Sequence, residues 1–125
     1  MQINGCDGRG FSSERLTAED VRHIIAACHR HGVGGLCPTL VTNSRAALLH
    51  GFATLSRACA ADPETDRALP AFHLEGPYIS PEDGPRGAHS RQHVRPPDWD
   101  EFRQFQDAAG GRIRLVTLAP EVEGA

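Results

Sequence analysis

Two histidines and a glutamate lie around one break in the hydrophobic pattern of the chain. The apolar run Leu69–Leu74 includes His73 and leads directly into Glu75, which Gly-Pro follows. A short apolar run closed by Gly-Pro is typical of a buried strand that ends in a loop. In parallel α/β proteins, the carboxyl ends of strands carry catalytic and metal-binding side chains. Glu75 is therefore a candidate functional carboxylate, although a solvated charge or a helix cap is the commoner use of such a residue.

The loop after Glu75 is long and rich in proline. It spans Gly76–Pro97, holds five prolines and contains His89. Structureless loops of this length in compact domains are usually functional or disordered, and the prolines favour a stiff active-site loop. By residue type alone, His89 is typical of a surface histidine. His73 lies two residues before Glu75 and faces the same side of the strand by alternation, where it packs in the core or orients a ligand.

The elements that position these side chains begin with the end of a strand at residues 1–5 and a glycine-rich loop over residues 6–10. A well-marked helix follows. Thr17 as N-cap, with Asp20 completing an acidic variant of the capping box, predicts a helix over about residues 18–31. A short apolar strand over residues 36–41 follows, with Pro38 near its start. The next amphipathic pattern predicts a helix that begins at Asn43 or Ser44 and ends near Ala60, where Asp62-Pro63 stops it.

The second half of the chain continues the alternation of strands and helices. Asp98 and Glu101 predict another capping box for a helix that ends near Ala109, and residues 113–118 form a fourth apolar strand. This order predicts a parallel sheet with right-handed crossovers. We therefore expect an α/β fold with four parallel strands and three intervening helices.

Length, charge and composition exclude several classes of protein. The 125 residues are too few for a closed (β/α)₈ barrel, which needs about 250. The 13 basic and 16 acidic residues are interspersed, which argues against nucleic acid as a partner. Without a bilayer-spanning run or a signal peptide, we expect no membrane contact and a cytoplasmic location. The four cysteines form no Cys-x-x-Cys pair, which favours free thiols.

Four stretches of the chain carry a resemblance to a known family. The segment 73–82 reads His-Leu-Glu-Gly-Pro-Tyr-Ile-Ser-Pro-Glu, and Arg-Gly-Ala-His follows at 86–89. Together they closely resemble the N-acetylglucosamine-6-phosphate deacetylases of the amidohydrolase superfamily. Segments 2–5, 37–42 and 116–121 agree with the same family in order and approximate spacing, so the likeness covers nearly the whole chain.

The resemblance implies a particular architecture and activity. It implies that residues 1–125 are the N-terminal portion of a (β/α)₈ barrel truncated at both ends, and that the chain alone is inactive. The parent enzyme would hydrolyse the N-acetyl group of N-acetylglucosamine 6-phosphate and release acetate. Its partner would be a small phosphorylated amino sugar, and it would be a homo-oligomer.

The resemblance also assigns roles to individual residues. Glu75 matches a ligand of a divalent metal, most often one Zn²⁺, while Ala88 and His89 match positions that contact the substrate. Two histidine ligands and a catalytic aspartate are expected downstream of Ala125, so this chain itself holds no catalytic residue. Gln2 and Asn4 replace the His-x-His that binds a second metal in many amidohydrolases, and we expect that second site to be vestigial because amides are poor zinc ligands.

Two other functions remain as alternatives. One is a metal-dependent amidohydrolase that acts on a different acylated amine or cyclic amide. The other is a small non-catalytic α/β domain, for example one of flavodoxin-like topology, that binds a partner or a nucleotide. Cooperative folding without affinity for divalent metal would favour this second alternative.

Overall fold

A computed structural model describes all of residues 1–125. The strands are β1 (Gln2–Ile3), β2 (Gly5–Cys6), β3 (Arg9–Gly10), β4 (Cys37–Val41), β5 (Phe72–Glu75) and β6 (Ile113–Thr117). The helices are α1 (Ala18–Arg30), α2 (Arg45–Ala61), α3 (Pro63–Ala68) and α4 (Trp99–Ala108), and a single 3₁₀ turn covers Arg91–His93. Strands and helices alternate along most of the chain, as predicted.

A four-stranded parallel sheet in the order β1-β4-β5-β6 forms the framework. The α/β class and the four parallel strands are thereby confirmed. The sheet is open, with β1 and β6 at its two edges, and these residues form no barrel. Neighbours in the sheet are also successive strands of the framework, so the carboxyl ends of β4, β5 and β6 lie side by side. The loops that follow these strands meet at that edge.

The start of α1 is set by the local signal predicted for it. The Thr17 hydroxyl accepts a hydrogen bond from the Asp20 amide, and the Asp20 carboxylate accepts one from the Thr17 amide at 3.0 Å. Arg9 also contacts the Asp20 carboxylate, at 2.9 Å. The hydrogen bonds from Thr17, together with the charge of Arg9, hold the pKa of Asp20 below its ordinary value of 3.8.

Two elements differ from the prediction. The glycine-rich segment after β1 is a β2–β3 hairpin rather than a loop, and its turn places Asp7 and Gly8 at positive φ. Asp-Gly is the pair that such a two-residue turn prefers. The second difference is α3, because Asp62-Pro63 was expected only to end the preceding helix. Its Asp62 side chain accepts hydrogen bonds from the Glu64 and Thr65 amides, and Pro63 begins the helix. Proline is well suited to the first position of a helix.

One face of the sheet packs against the helices through an aromatic core. Phe52 of α2 is fully buried, and its ring centroid lies 6.4 Å from that of Phe72 in β5 and 6.3 Å from that of Phe105 in α4. Leu40 and Leu74, from the middle of β4 and β5, are buried in the same cluster. Side chains alternate along a strand, so the neighbours of these leucines point to the other face, where the polar groups lie.

The outer surface has few unusual features. The four cysteines are free and are buried or half-buried, as predicted. No helix has the length and apolar content that a membrane span requires. Large apolar side chains are exposed mainly near β6. Leu118 and Trp99 border an apolar groove between β6 and α4, and Leu115 of β6 is exposed outside that groove.

The capping box of α1 predicts a dependence of stability on pH. Because the pKa of Asp20 is lower in the folded chain than in the unfolded chain, its contribution is complete above about pH 3.8 and is lost as the pH falls through the folded-state value. Asp20→Asn should therefore lower the free energy of unfolding at pH 6, and the difference from the unmodified chain should shrink at pH 3. Urea titration at both pH values measures this.

The exposed Glu14 provides a control, because it forms no hydrogen bond or ion pair. Glu14→Gln should change stability little at either pH. An Asp20→Asn effect that is equally large at pH 3 and pH 6 would contradict the role of the carboxylate charge.

Candidate functional site

Glu75 and His89 meet at the carboxyl end of β5. Glu75 is the last residue of the strand, and His89 lies in the loop that follows it. Their side chains come together with 3.6 Å between Glu75 Oε1 and His89 Nε2, and both are about one-quarter exposed, at 27% and 21%. The structure thus joins two residues that were singled out in the sequence. Ala88, the third, is exposed beside His89.

His89 is held at its ring and at its backbone. Its Nδ1 atom lies 2.8 Å from the Thr42 hydroxyl, at the end of β4. Its carbonyl accepts a hydrogen bond of 2.8 Å from Arg86 Nη1, and Arg86 also pairs with Asp83. These contacts leave only Nε2 of the ring directed at Glu75. His89 is therefore a positioned side chain rather than a free surface histidine.

Gly76 allows the loop to pass close to β4. Its φ angle is +76°, and a Cβ atom at this position would lie 2.0 Å from the Thr42 hydroxyl oxygen. Only glycine fits such a contact at a positive φ without strain. The glycine after the strand is thus needed for the proximity of Thr42, Glu75 and His89.

The far end of the loop is attached to α4 by an ion pair. Arg95 Nε donates to Glu101 at 3.0 and 3.1 Å, and Arg95 Nη1 donates to the Asn43 carbonyl at 3.1 Å. The Tyr78 hydroxyl donates to Glu101 Oε2 at 3.0 Å. Burial and the adjacent Glu101 carboxylate raise the pKa of Tyr78 well above its ordinary value of 10. The loop is thus anchored at both ends, which supports its interpretation as an ordered segment.

This ion pair corrects one sequence prediction. Asp98 caps α4 by accepting from the Glu101 amide, but the Glu101 side chain turns inward to Tyr78 and Arg95 instead of completing a capping box. Glu101 is only 9% exposed. A buried carboxylate requires a charged or hydrogen-bonding partner, and Arg95 provides it from the end of the loop, six residues before Glu101.

A row of polar side chains crosses the sheet beneath the site. His73 Nδ1 lies 3.1 Å from the Thr39 hydroxyl, and His73 Nε2 lies 2.8 Å from the Thr117 hydroxyl. Gln2 Nε2 donates to Thr39 at 2.8 Å and to Asn4 at 2.7 Å. Burial lowers the pKa of His73, with Glu75 opposing this effect. His73 is thus a neutral core group that bridges β4 and β6.

The amide side chains at the predicted vestigial metal site belong to this row. The Gln2 amide hydrogens bond to Asn4 and Thr39, so this part of the structure links β1 to β4 through a neutral hydrogen-bond network. Such an arrangement needs no cation for its stability. It is compatible with the expected vestigial second site, which remains a prediction.

Residues 1–125 do not supply a complete set of metal ligands. No group of three or more His, Cys, Asp or Glu side chains lies close enough to share a cation, whereas catalytic zinc usually takes three protein ligands. Glu75 supplies one suitable carboxylate, with His89 beside it. These residues alone do not fit a complete catalytic metal site.

Sequence reasoning missed two residues that shape the site. Arg95 was interpreted as a solvated side chain, which is wrong because it binds Glu101 and the Asn43 carbonyl, and Thr42 was treated only as part of a matching stretch. A threonine directly after a strand, at the carboxyl edge where Glu75 also lies, was an available signal for Thr42. No local pattern pairs Arg95 with Glu101.

The relatives found by comparison with known proteins are deacetylases of amino-sugar phosphates. No protein-family model matches the chain. The N-acetylglucosamine-6-phosphate deacetylase of Bos taurus is 39% identical over 98% of this chain and 30% of its own length. The N-acetylgalactosamine-6-phosphate deacetylase of Escherichia coli O157:H7 is 32% identical over 77% of this chain and 25% of its own length. The chain therefore spans about a third or less of the relatives that it matches.

A solved structure shares the fold as well as the sequence. A mutant N-acetyl-D-glucosamine-6-phosphate deacetylase of Mycobacterium smegmatis, in complex with N-acetyl-D-glucosamine-6-phosphate, superposes with a TM-score of 0.82 and 35% identity. The match covers 99% of this chain and 30% of that structure. The likeness thus extends over every element described above.

The close approach at Gly76 generates a mutational prediction. Gly76→Ala should destabilise the chain by about 2–5 kcal/mol, since it adds the cost of a positive φ to a steric overlap with Thr42. Gly84→Ala is the matched control, because Gly84 has φ +96° with nothing near its Cβ position, and should cost only about 1–2 kcal/mol. Urea unfolding measures both. Equal losses would show that the contact with Thr42 is unimportant.

Proposed function

Because the chain belongs to the N-acetylglucosamine-6-phosphate deacetylase family, we propose that it contributes one section of the active site of such an enzyme. The reaction is hydrolysis of the N-acetyl amide of N-acetylglucosamine 6-phosphate to glucosamine 6-phosphate and acetate. The observation that carries this proposal is the Glu75–His89 pair, 3.6 Å apart, at the carboxyl edge of a sheet that matches a deacetylase structure throughout.

Glu75 is proposed as one ligand of a divalent cation, which the family resemblance identifies as Zn²⁺. The chemistry that such a cation supplies is Lewis acidity, which polarises an amide carbonyl and acidifies water. The remaining ligands and the catalytic aspartate would come from sections of the enzyme outside these residues. This view makes residues 1–125 part of a larger barrel.

His89 and Ala88 are proposed to contact the substrate. The His89 ring is fixed by Thr42, and its Nε2 atom lies at the same opening as the Glu75 carboxylate. A ring nitrogen there is within reach of an amide oxygen or a sugar hydroxyl that approaches Glu75. His73 lies below, where it bridges Thr39 and Thr117 and supports the strand end that carries Glu75.

N-acetylgalactosamine 6-phosphate is a second candidate substrate. The similarity to an N-acetylgalactosamine-6-phosphate deacetylase covers 77% of the chain, and the two sugars differ only in the configuration of one hydroxyl. Both substrates share the N-acetyl group on which the proposed Glu75 site would act. An assay with both sugars distinguishes the two specificities.

A chimaera tests the function directly. The 125 residues replace the homologous section of the Mycobacterium smegmatis deacetylase. Two quantities are then measured: the release of acetate from N-acetylglucosamine 6-phosphate and the metal content of the purified chimaera. The chimaera should be active, and Glu75→Gln should lower kcat/KM by more than about 100-fold, because even residues that only support a metal ligand cost roughly 10- to 100-fold. The 125-residue chain alone should release no acetate, since its metal donors are incomplete.

Glu82→Gln is the matched control in the chimaera, because Glu82 is an exposed carboxylate of the same loop. It should leave metal content and activity within about twofold of the unmodified chimaera, as expected for a surface substitution. Full metal content and activity in the Glu75→Gln variant would reject Glu75 as a ligand. An inactive chimaera that folds and binds no metal would favour the non-catalytic alternative.

A further inference from the structure

Thr42 occupies the centre of the site without reaching its opening. It is 5% exposed, and its hydroxyl oxygen lies 2.8 Å from His89 Nδ1 and 3.4 Å from the Glu75 carbonyl oxygen. Its position, directly after β4, is set by the pairing of Val41 with Glu75. The Thr42 hydroxyl therefore contacts both proposed functional residues: His89 in the loop and Glu75 at the end of β5.

The charge of Glu75 selects one tautomer of His89. Glu75 Oε1 lies 3.6 Å from His89 Nε2, and an ionised carboxylate only accepts hydrogen bonds. An N–H at Nε2 is attracted to this oxygen, whereas a lone pair there would be repelled. In a neutral ring with hydrogen on Nε2, Nδ1 carries the lone pair and requires a donor.

The Thr42 hydroxyl is the donor in range of that lone pair. Its single hydrogen has two available acceptors, His89 Nδ1 at 2.8 Å and the Glu75 carbonyl at 3.4 Å. The first distance is typical of a hydrogen bond made by a hydroxyl, and the second lies beyond the usual range. The shorter contact therefore takes the hydrogen.

We propose that Thr42 is a positioning residue whose hydroxyl donates to His89 Nδ1 and so keeps the Nε2–H of His89 directed to the opening beside Glu75. Its importance for the reaction rests on the proposed function, in which that N–H donates to the substrate. The hydrogen bond itself is a property of the folded chain and can be tested without metal, substrate or activity.

Nuclear magnetic resonance of the folded 125-residue chain tests the proposal. Long-range correlations between ring carbon-bound hydrogens and ring nitrogens report which nitrogen of His89 carries the hydrogen. At a pH where the ring is neutral, the unmodified chain should show His89 mainly as the Nε2–H form. A predominant Nδ1–H form would overturn the proposal without any variant.

Thr42→Val removes the hydroxyl but keeps the branched shape. The ratio of the Nε2–H to the Nδ1–H form of His89 should fall by roughly two- to tenfold, as expected for the loss of one hydrogen bond. Thr42→Ser retains the hydroxyl and should restore the ratio. An unchanged ratio in a folded Thr42→Val chain would overturn the proposal, because a purely structural role would alter stability but not the tautomer.

Thr54→Val provides the matched control. Thr54 is a buried threonine of α2, 4% exposed, whose hydroxyl accepts from Arg57 and has no contact with His89. It should leave the tautomer ratio unchanged. If Thr42→Val does not fold, Thr42→Ala takes its place, because it also lacks the hydroxyl and should lower the ratio in the same way; an unchanged ratio would overturn the proposal.

The result is separable from the proposed function. An inactive chimaera with the expected tautomer and variant responses would reject the deacetylase function and leave Thr42 as the residue that orients His89. An active chimaera in which His89 carries its hydrogen on Nδ1 would reject the role of Thr42 alone.

Discussion

The parallel pairing of β4 with β5 is the constraint on which the site depends. Its register places Thr39 beside His73, Leu40 beside Leu74 and Val41 beside Glu75. A shift of one residue would turn the leucines out of the core and the polar groups into it. Burial of the two leucines thus secures the register, and the register in turn brings residue 42 next to the start of the loop. The site is stabilised mainly by hydrophobic packing on the opposite face of the sheet.

Local signals in the sequence predicted most of the regular elements, but not all of them. The capping box at Thr17 predicted the start of α1 to the residue, because both partners lie within one helical turn. Pro63 was misinterpreted as a helix terminator, although it follows the cap residue Asp62 and begins α3. The Asp7-Gly8 turn was also overlooked, since the flanking two-residue strands are too short to show alternation. In both cases the residue pair has two common uses. Asp-Pro can end one helix or begin the next, and Asp-Gly occurs in open loops as well as in hairpin turns; the structure has the second use each time.

The site itself was less accessible from sequence. Strand alternation placed His73 and Glu75 on one face, but the contact of His89 with Glu75 depends on how a long loop folds back. Only the family resemblance suggested a role for His89. Glu101 shows the limit most clearly, because its local pattern predicted a cap, while the tertiary structure directs it to Arg95 and Tyr78. Tertiary contacts outweigh a local hydrogen bond when they neutralise a buried charge.

The two edges of the sheet differ in their capacity for strand addition. β1 contains only two residues, and very short edge strands offer little template for pairing. β6 contains five residues, and the exposed Leu115 and Leu118 lie on and beside it. The β6 edge therefore offers a longer template for pairing with another strand than the β1 edge does. At high concentration, the same edge makes the isolated chain prone to self-association through backbone hydrogen bonds.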